Sequence, residues 1–446
     1  MKWNKLILPI LFLTALNSFG QGILTLDKAI SIALENNYGI VIAKNGIQKA
    51  KNNNHLFNKQ LLPSVTATAA GTRNNNSSKS TNAEGEEFEQ NDAVTKNYSA
   101  GLKVSYTLFD GFQRWYANKN FEAALSLSEL DARQIVETTL IQVYSTYYAA
   151  SLLTENVSNQ SEILTISKQR LERVKARSNY GQVSQLDVLN AQVDVNNDSI
   201  ALLELANQLA NTKRDLNLLL GRSIEIPFST TTNIQFLTSL NKQDVMNSAL
   251  EENVAILQSR KQLYIGQNLD AINKGNWLPK LSINSSYNWS LQDNKLAQNP
   301  ANPFQQQEQE NLGFNTGLNL SWNLFNGGSN IIRKQNSTID VLNAENNLEL
   351  VQQEISRDLL NAWSNYQNDL FLLSAQSKNV ETNKNNFKRT EEKFKLGQIN
   401  SITFRQAQIN LLNAQTAYNK SKFDAKLSEL VVLQLSGQLD QVSVSE

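Results

Sequence analysis

The chain has 446 residues, with 41 basic and 41 acidic side chains, one histidine and no cysteine. The balanced charge argues against nucleic-acid binding, and the lack of cysteine excludes disulfides and thiolate metal sites. The sequence contains no glycine-rich phosphate loop, nucleophile elbow or metal-spaced His/Asp cluster. We therefore expect no enzyme, no catalytic residues and no cofactor.

The N-terminus has the order of a secretory signal peptide. Two lysines precede an apolar core from Leu6 to Leu16, and the small residues Ser18 and Gly20 suit cleavage before Gln21. This core is too short to cross a bilayer as a helix. We predict a signal peptide over residues 1–20 and a mature chain outside the cytoplasm, with a short N-terminal anchor as the alternative.

The mature sequence is a duplication with a constant offset of 216 residues. Coinciding pairs are Ala33 with Ala249, Pro63 with Pro279, Phe109 with Phe325, Gly181 with Gly397, and Gly221 with Gly437. One offset along the whole chain indicates two copies of a domain-sized unit. We predict repeats over residues 21–236 and 237–446.

Each repeat is predicted to contain the same elements in the same order. An opening helix, from Leu26 to Lys59 in the first repeat, leads to a proline and then to two strands, a long helix and a return helix. The predicted strands are 61–73, 97–109, 277–289 and 312–325, the long helices are 112–178 and 328–394, and the return helices are 184–220 and 400–436.

The strand segments alternate between apolar and polar residues. Tyr98, Leu102 and Val104 share one face of the second strand, and small polar residues occupy the other. This pattern indicates half-buried strands and suits a membrane barrel whose apolar face points outward and whose Ser/Asn face contacts water. A soluble hairpin packed on a helix is the alternative. The polar segments Asn74–Lys96 and Ser290–Asn311 are expected to be solvated loops.

The long helices require neighbours along their length. Residues 112–178 contain no glycine or proline, and 67 helical residues span about 100 Å. Leu140, Tyr144 and Tyr147 follow heptad-like spacing, which predicts packing against adjacent helices. On the return helix the residues expected to pack are Leu186, Leu189, Val193, Ile200 and Leu203.

Glycine turns join the long and return helices, since glycine ends helices in the left-handed conformation. The two turns are equivalent in the repeats and mark one exposed end. Their residues are Tyr180, Gly181, Gln182, Val183 and Ser184 in the first repeat, and Leu396, Gly397, Gln398, Ile399 and Asn400 in the second.

The ordered set of motifs resembles the TolC-like outer membrane factors of bacterial efflux and type I secretion. The motifs are Ala33-Leu34-Glu35-Asn36-Asn37, Leu62-Pro63, Ser105-Tyr106-Thr107-Leu108-Phe109-Asp110-Gly111, Gly181-Gln182, Asp187-Val188-Leu189-Asn190-Ala191-Gln192 and Leu218-Leu219-Leu220-Gly221, with counterparts in the second repeat. The resemblance implies a mainly α fold with a membrane β-barrel portion. Long helical hairpins would form a periplasmic α-barrel, and each chain would contribute four strands to the 12-stranded outer-membrane barrel of a homotrimer.

The same resemblance implies partners and a pore gate. The glycine turns would dock a periplasmic adaptor protein joined to an inner-membrane pump, and the barrel would contact outer-membrane lipid. Asp187 aligns with an acidic position of the tip, whereas Thr403 and Gln406 stand where some members have acidic gate residues. Ile399 replaces a basic linking residue, so a strong anionic ring is not expected. Asp187 as a helix-start carboxylate is the alternative.

A different class of protein also fits part of the pattern. A secreted or periplasmic coiled-coil structural or adaptor protein would explain the signal peptide and the long helices. It would not explain two matched pairs of alternating strands at one offset. We therefore favour a passive conduit between periplasm and exterior, and leave open its substrate and whether it serves efflux or protein secretion.

Overall fold

The computed structural model describes residues 22–237, 240–295 and 308–439. The predicted signal peptide, residues 1–20, lies outside the described residues. The helices in the described part are α1 (Leu26–Asn36), α2 (Tyr38–Asn53), α3 (Gln113–Asn179), α4 (Gln185–Leu219), α5 (Lys242–Glu252), α6 (Val254–Gly275), α7 (Ser329–Lys395) and α8 (Ser401–Leu435). The strands are β1 (Gly22–Leu24), β2 (Ser64–Thr81), β3 (Glu87–Phe109), β4 (Phe228–Thr230), β5 (Lys280–Lys295) and β6 (Glu308–Ser321).

The repeat is visible in the helix lengths. The long helices α3 and α7 have 67 residues each, and the return helices α4 and α8 have 35 each. None of the helices in the described ranges combines the length and the apolar character needed to cross a membrane.

The described chain divides into two compact units. The helical unit comprises 22–44, Ala132–Val254 and 352–439, and the sheet unit comprises Asn45–Asp131 and Ala255–Val351. The helical unit has an apolar core in which Tyr144 and Tyr147 of α3 are fully buried. The Tyr147 hydroxyl donates to the Leu24 carbonyl at 2.8 Å, which fastens the short parallel pair β1–β4 to α3.

The return helix α4 packs through a different face from the one predicted. Ala191 and Val195 are buried, because their small side chains allow α4 to approach α3 closely. The apolar residues expected to pack are exposed in the single chain, so the prediction is wrong for contacts within the chain. They are Leu186, Leu189, Val193, Ile200 and Leu203.

The opening helix is interrupted, which corrects the prediction of one helix from Leu26 to Lys59. Asn37 has extended backbone angles and separates α1 from α2, which ends at Asn53. The Asn37 side chain caps the start of α2 and ties the break to the end of α4: its Oδ1 accepts from the Ile40 N–H at 3.2 Å, and its Nδ2 donates to the Leu219 carbonyl at 2.7 Å. The second repeat has the same break at Asn253, between α5 and α6.

The sheet unit contains an antiparallel sheet in the order β2-β3-β5-β6. The first hairpin extends far into the segment 74–96 that was predicted to be a loop, because the strands pair up to Thr81 and Glu87. Only residues 82–86 separate them. The second predicted loop is also shorter, since β5 continues to Lys295 and β6 begins at Glu308. Its central residues, 296–307, lie outside the described residues.

Candidate functional site

The turns after α3 and α7 have the same backbone geometry. Gly181 and Gly397 adopt φ angles of 71° and 73°, in the left-handed region that favours glycine. In the first turn the Gln182 N–H donates to the Arg177 carbonyl at 2.9 Å, and the second turn repeats this bond at the same distance. These bonds satisfy the last carbonyls of each long helix and reverse the chain within a few residues.

Capping side chains start the return helices at both turns. Ser184 and Asp187 form a capping box, in which the Asp187 N–H donates to Ser184 Oγ at 3.2 Å and the Ser184 N–H donates to Asp187 Oδ2 at 2.9 Å. The pKa of Asp187 lies below its ordinary value because its carboxylate accepts two hydrogen bonds from Ser184. The bond from the Ser184 hydroxyl has the larger effect, and the bond from the Ser184 N–H has the smaller one. At the second turn the neutral Asn400 takes this role, accepting from the Thr403 N–H at 2.9 Å.

Two of the ten predicted tip residues anchor the turns. Val183 and Ile399 pack against an apolar cluster that contains the buried Phe404. The other eight are exposed, and among them Tyr180 and Leu396 are large apolar residues with exposures of 82% and 73%. The turns therefore present apolar side chains to solvent at equivalent positions of the two repeats.

The three predicted gate residues have local hydrogen bonds. Asp187 belongs to the capping box, and the Thr403 hydroxyl donates to Asn400 Oδ1 at 2.9 Å. Gln406 Nε2 donates to Asn410 Oδ1 at 2.8 Å. Thr403 and Gln406 are exposed, and Asp187 is partly exposed.

A buried ionic cluster near the turns was missed by the sequence analysis. Arg405 of α8 pairs with Asp198 of α4 at 2.7 Å, and Arg170 of α3 pairs with Asp194 of α4. The Ser167 hydroxyl donates to Asp198 Oδ2 at 2.6 Å. The repeat contains a sequence signal for this cluster, because all four charged residues align with uncharged residues of the other repeat. The counterpart of Arg405, for example, is Leu189.

The strand register gives the sheet one polar and one apolar face. On β2, up to residue 76, and on β5 the even-numbered residues belong to the polar face. On β3, from residue 95 to residue 107, and on β6 the odd-numbered residues belong to it. The alternate residues of each strand form the apolar face. Typical rows of the apolar face are Ala69-Ala100-Trp289-Leu312 and Ala67-Leu102-Tyr287-Phe314. Leu312, Phe314, Leu318 and Leu320 of β6 are exposed by 63% or more, so a broad apolar surface lacks a partner within the described chain.

Two hydroxyl residues on the apolar face form a hydrogen bond with each other. Ser285 and Thr316 are cross-strand partners, and their side-chain oxygens lie 2.7 Å apart. One hydroxyl donates to the other, so this hydrogen bond offsets part of the cost of placing two polar groups on the apolar face.

A charged row ends the apolar face on the hairpin side. Its members are Arg73, Lys96, Asp293 and Glu308, which are paired across all four strands. Lys96 and Asp293 form an ion pair at 3.7 Å. From Leu281 to Leu291 the rows cover about 33 Å of strand, or about 25 Å along the axis of a barrel with tilted strands. The last of these rows includes the charged Glu310, whose carboxylate accepts from the Trp289 indole N–H at 2.7 Å.

The model of the outer membrane efflux protein family matches residues 29–222 and 245–438. The two matches begin and end 216 residues apart, the offset of the internal repeat. The chain is 21% identical over 351 residues to outer membrane protein TolC of Vibrio cholerae, covering 78% of each chain. It is 23% identical over 411 residues to the probable efflux pump outer membrane protein TtgC of Pseudomonas putida, covering 91% of this chain and 81% of that one.

Solved structures show the same fold. The outer membrane channel CmeC of Campylobacter jejuni superposes with a TM-score of 0.76 at 17% identity, over 93% of this chain and 86% of that one. The MtrE outer membrane channel of Neisseria gonorrhoeae gives a TM-score of 0.70 at 16% identity, over 93% and 89% of the two chains. These likenesses confirm the predicted fold class of long helical hairpins combined with four strands.

Proposed function

The chain belongs to the outer membrane efflux protein family, and from this membership we propose that three identical copies form one passive channel across the outer membrane. It is an outer-membrane channel component of an efflux system. The family is one of channels and not of enzymes. The assembly, the partners and the roles of individual residues are argued below from the geometry of the chain.

The open edges of the sheet carry the proposal of a shared barrel. In the described chain β2 pairs only with β3, and β6 pairs only with β5. Exposed edges of this length invite pairing with another chain. Strand directions alternate across the sheet, so β6 of one copy next to β2 of another continues the antiparallel order. Four strands are too few for a membrane barrel, whereas three copies supply twelve.

The two faces of the sheet fit the two surfaces of such a barrel. The apolar face has about the 25 Å height of a lipid-facing band and ends at a charged row that suits the membrane surface. The polar face, with its hydroxyl and amide groups, would line the water-filled lumen. We infer that the sheet lies in the outer membrane with its apolar face toward lipid.

The helical unit offers surfaces for the remaining contacts. The exposed apolar stripe of α4, from Leu186 to Leu203, would pack against a neighbouring copy. Tyr180 and Leu396, exposed on the two glycine turns, would dock a periplasmic adaptor connected to an inner-membrane pump. Asp187, Thr403 and Gln406 would face the pore entrance beside these turns, where a single acidic residue per chain makes a weak anionic ring.

Disulfide trapping between the two sheet edges tests the assembly. The natural chain has no cysteine, so Thr66→Cys on β2 is combined in turn with Asn311→Cys, Asn315→Cys or Asn319→Cys on β6. Within one chain these positions are separated by two strands, or about 14 Å, which is too far for a disulfide. We expect at least one pair to give covalent oligomers that end at the trimer.

Single-cysteine variants control for random oxidation and should remain monomeric on denaturing gels. Covalent ladders that stop at dimers or continue past trimers would contradict the proposed ring of three. Failure of every pair to cross-link in a membrane-extracted protein would contradict the pairing of β6 with β2.

A further inference from the structure

The polar face of the sheet carries positive charge and no carboxylate among the described residues. Its charged side chains are Lys103 on β3 and Lys280 on β5, and the remaining positions have hydroxyl, amide, methyl or no side-chain groups. The face is concave around Lys103, where a cavity of about 720 Å³ is also lined by Ser105, Asn284 and Asn315. The absence of acidic groups in this cavity leaves the Lys103 ammonium as its dominant charge.

A second cavity extends the same charge pattern. It has a volume of about 600 Å³ and is lined by Lys280 and by Arg333 of α7, together with asparagines such as Asn276 and Asn330. The Arg333 guanidinium donates to the Ser329 hydroxyl at 3.2 Å. In the described ranges neither Lys103, Lys280 nor Arg333 forms an ion pair. Asp110, which follows the last paired residue of β3, is already paired with Arg114 at 3.0 Å.

Two cations of the sheet unit that lie outside the polar face are neutralised by carboxylates. Lys96 lies on the apolar side and pairs with Asp293 at 3.7 Å. Lys334 of α7 pairs with Asp270 at 2.6 Å. The lysines of the polar face differ from these two in having no carboxylate on their own face of the sheet.

We propose that this polar face selects anionic solutes, with Lys103 as the main selectivity-determining residue and Lys280 and Arg333 as a second cationic site. The inference rests on the proposed channel, in which each cation occurs three times around one lumen. Lys103 pairs in register with Ser286, halfway along the apolar rows. There the barrel wall is backed by lipid, so the field of a fixed charge is less weakened than at an open surface.

A cysteine reporter next to Lys103 measures this field directly. Ser286→Cys introduces the only thiol of the chain, and its rates of modification by the anionic sulfonatoethyl and the cationic trimethylammonioethyl methanethiosulfonates are compared in nanodiscs. We expect the ratio of anionic to cationic rates to fall about fivefold when Lys103→Gln is added, because both reagents feel the lost charge with opposite sign. Lys103→Arg should restore the ratio.

The control in the same reporter chain is Lys96→Gln, which removes a cation from the opposite face and should leave the ratio unchanged. An unchanged ratio in the Lys103→Gln chain would overturn the inference. Recovery of intact oligomer shows that each variant has folded, and Lys280→Gln provides a second variant with an expected smaller decrease.

A neighbouring reporter separates failure of this inference from failure of the channel itself. Ser285→Cys places the thiol on the apolar face, one residue from the lumen reporter. If Ser286→Cys reacts and Ser285→Cys does not, the lumen assignment holds and the rate ratio alone decides on selectivity. Equal reaction of both thiols would contradict the membrane barrel and the proposed function.

Discussion

The side-chain amide of Asn37 donates a hydrogen bond of 2.7 Å to the carbonyl of Leu219, which joins the break between α1 and α2 to the end of α4. The second repeat has the same bond at 2.9 Å, from Asn253 to the Leu435 carbonyl. Both asparagines are buried or nearly so. The duplication has thus preserved a specific contact between elements that are 182 residues apart.

We predict that Asn37→Ala destabilises the helical unit by about 1–3 kcal/mol, because the change leaves the Leu219 carbonyl without its donor in a partly buried site. Asn253→Ala should have a similar effect. The measurement is the midpoint of thermal dissociation of the purified oligomer. Asn379→Ala, on the exposed surface of α7, is the control and should change the midpoint little. Equal midpoints for all three variants would contradict a structural role for the break.

The glycines of the turns and those after the return helices should respond differently to substitution. A side chain at Gly181 or Gly397 meets no atom within 4 Å, so Gly181→Val with Gly397→Val strains only the local backbone. We expect this double variant to assemble normally but to lose export, because the docking surface is distorted. Assembly is measured by gel mobility of the oligomer and export by drug sensitivity of the host cell.

The matched comparison is Gly221→Ala, where the added Cβ would lie 2.2 Å from the Asn36 carbonyl oxygen. This clash and the positive φ angle of 64° together should cost about 2–5 kcal/mol and reduce the amount of assembled protein.

Normal export by the Gly181/Gly397 double variant would argue against docking at the turns.

The hydroxyl pair Ser285 and Thr316 reports on the surroundings of the apolar face. In lipid, Ser285→Val leaves the Thr316 hydroxyl without a partner and should cost about 1–3 kcal/mol, whereas the double change to valine should be nearly neutral. The coupling is obtained from a double-mutant cycle on thermal dissociation. Near-zero effects of both single changes would indicate that water reaches this face.

The capping box at Asp187 predicts a local dependence on pH. Because hydrogen bonds lower the folded-state pKa of Asp187, its stabilisation is fully present above the ordinary pKa of 3.8 and is lost as the pH falls through the lower folded value. Hydrogen exchange of the first turn of α4, corrected for intrinsic rates, should show less protection in Asp187→Asn than in the natural chain at pH 7, and the difference should shrink as the pH is lowered below 3.8. The equivalent turn of α8, capped by the neutral Asn400, is the internal control.

Periodicity predicted the helices and the strand pairs because it is a local signal, and the constant offset of 216 residues predicted that both repeats contain them. The break at Asn37 was not predicted, since its cause is a carbonyl in a helix that lies far away in the chain. The hairpin extension to Thr81 and Glu87 was interpreted as a loop because its two faces are equally polar. The pairing of Arg405 with Asp198 likewise requires the packing of α8 against α4, which no single helix records.

The open edges β2 and β6 have a genetic consequence. In the proposed ring each copy would complete the sheet of the next, so a variant that folds but cannot pair at one edge would enter rings and leave them unfinished. In a cell that makes equal amounts of such a variant and the normal chain, only about one eighth of the three-membered rings would consist of normal copies alone. Edge mutations should therefore be dominant over the wild-type allele, whereas mutations that prevent folding altogether should be recessive.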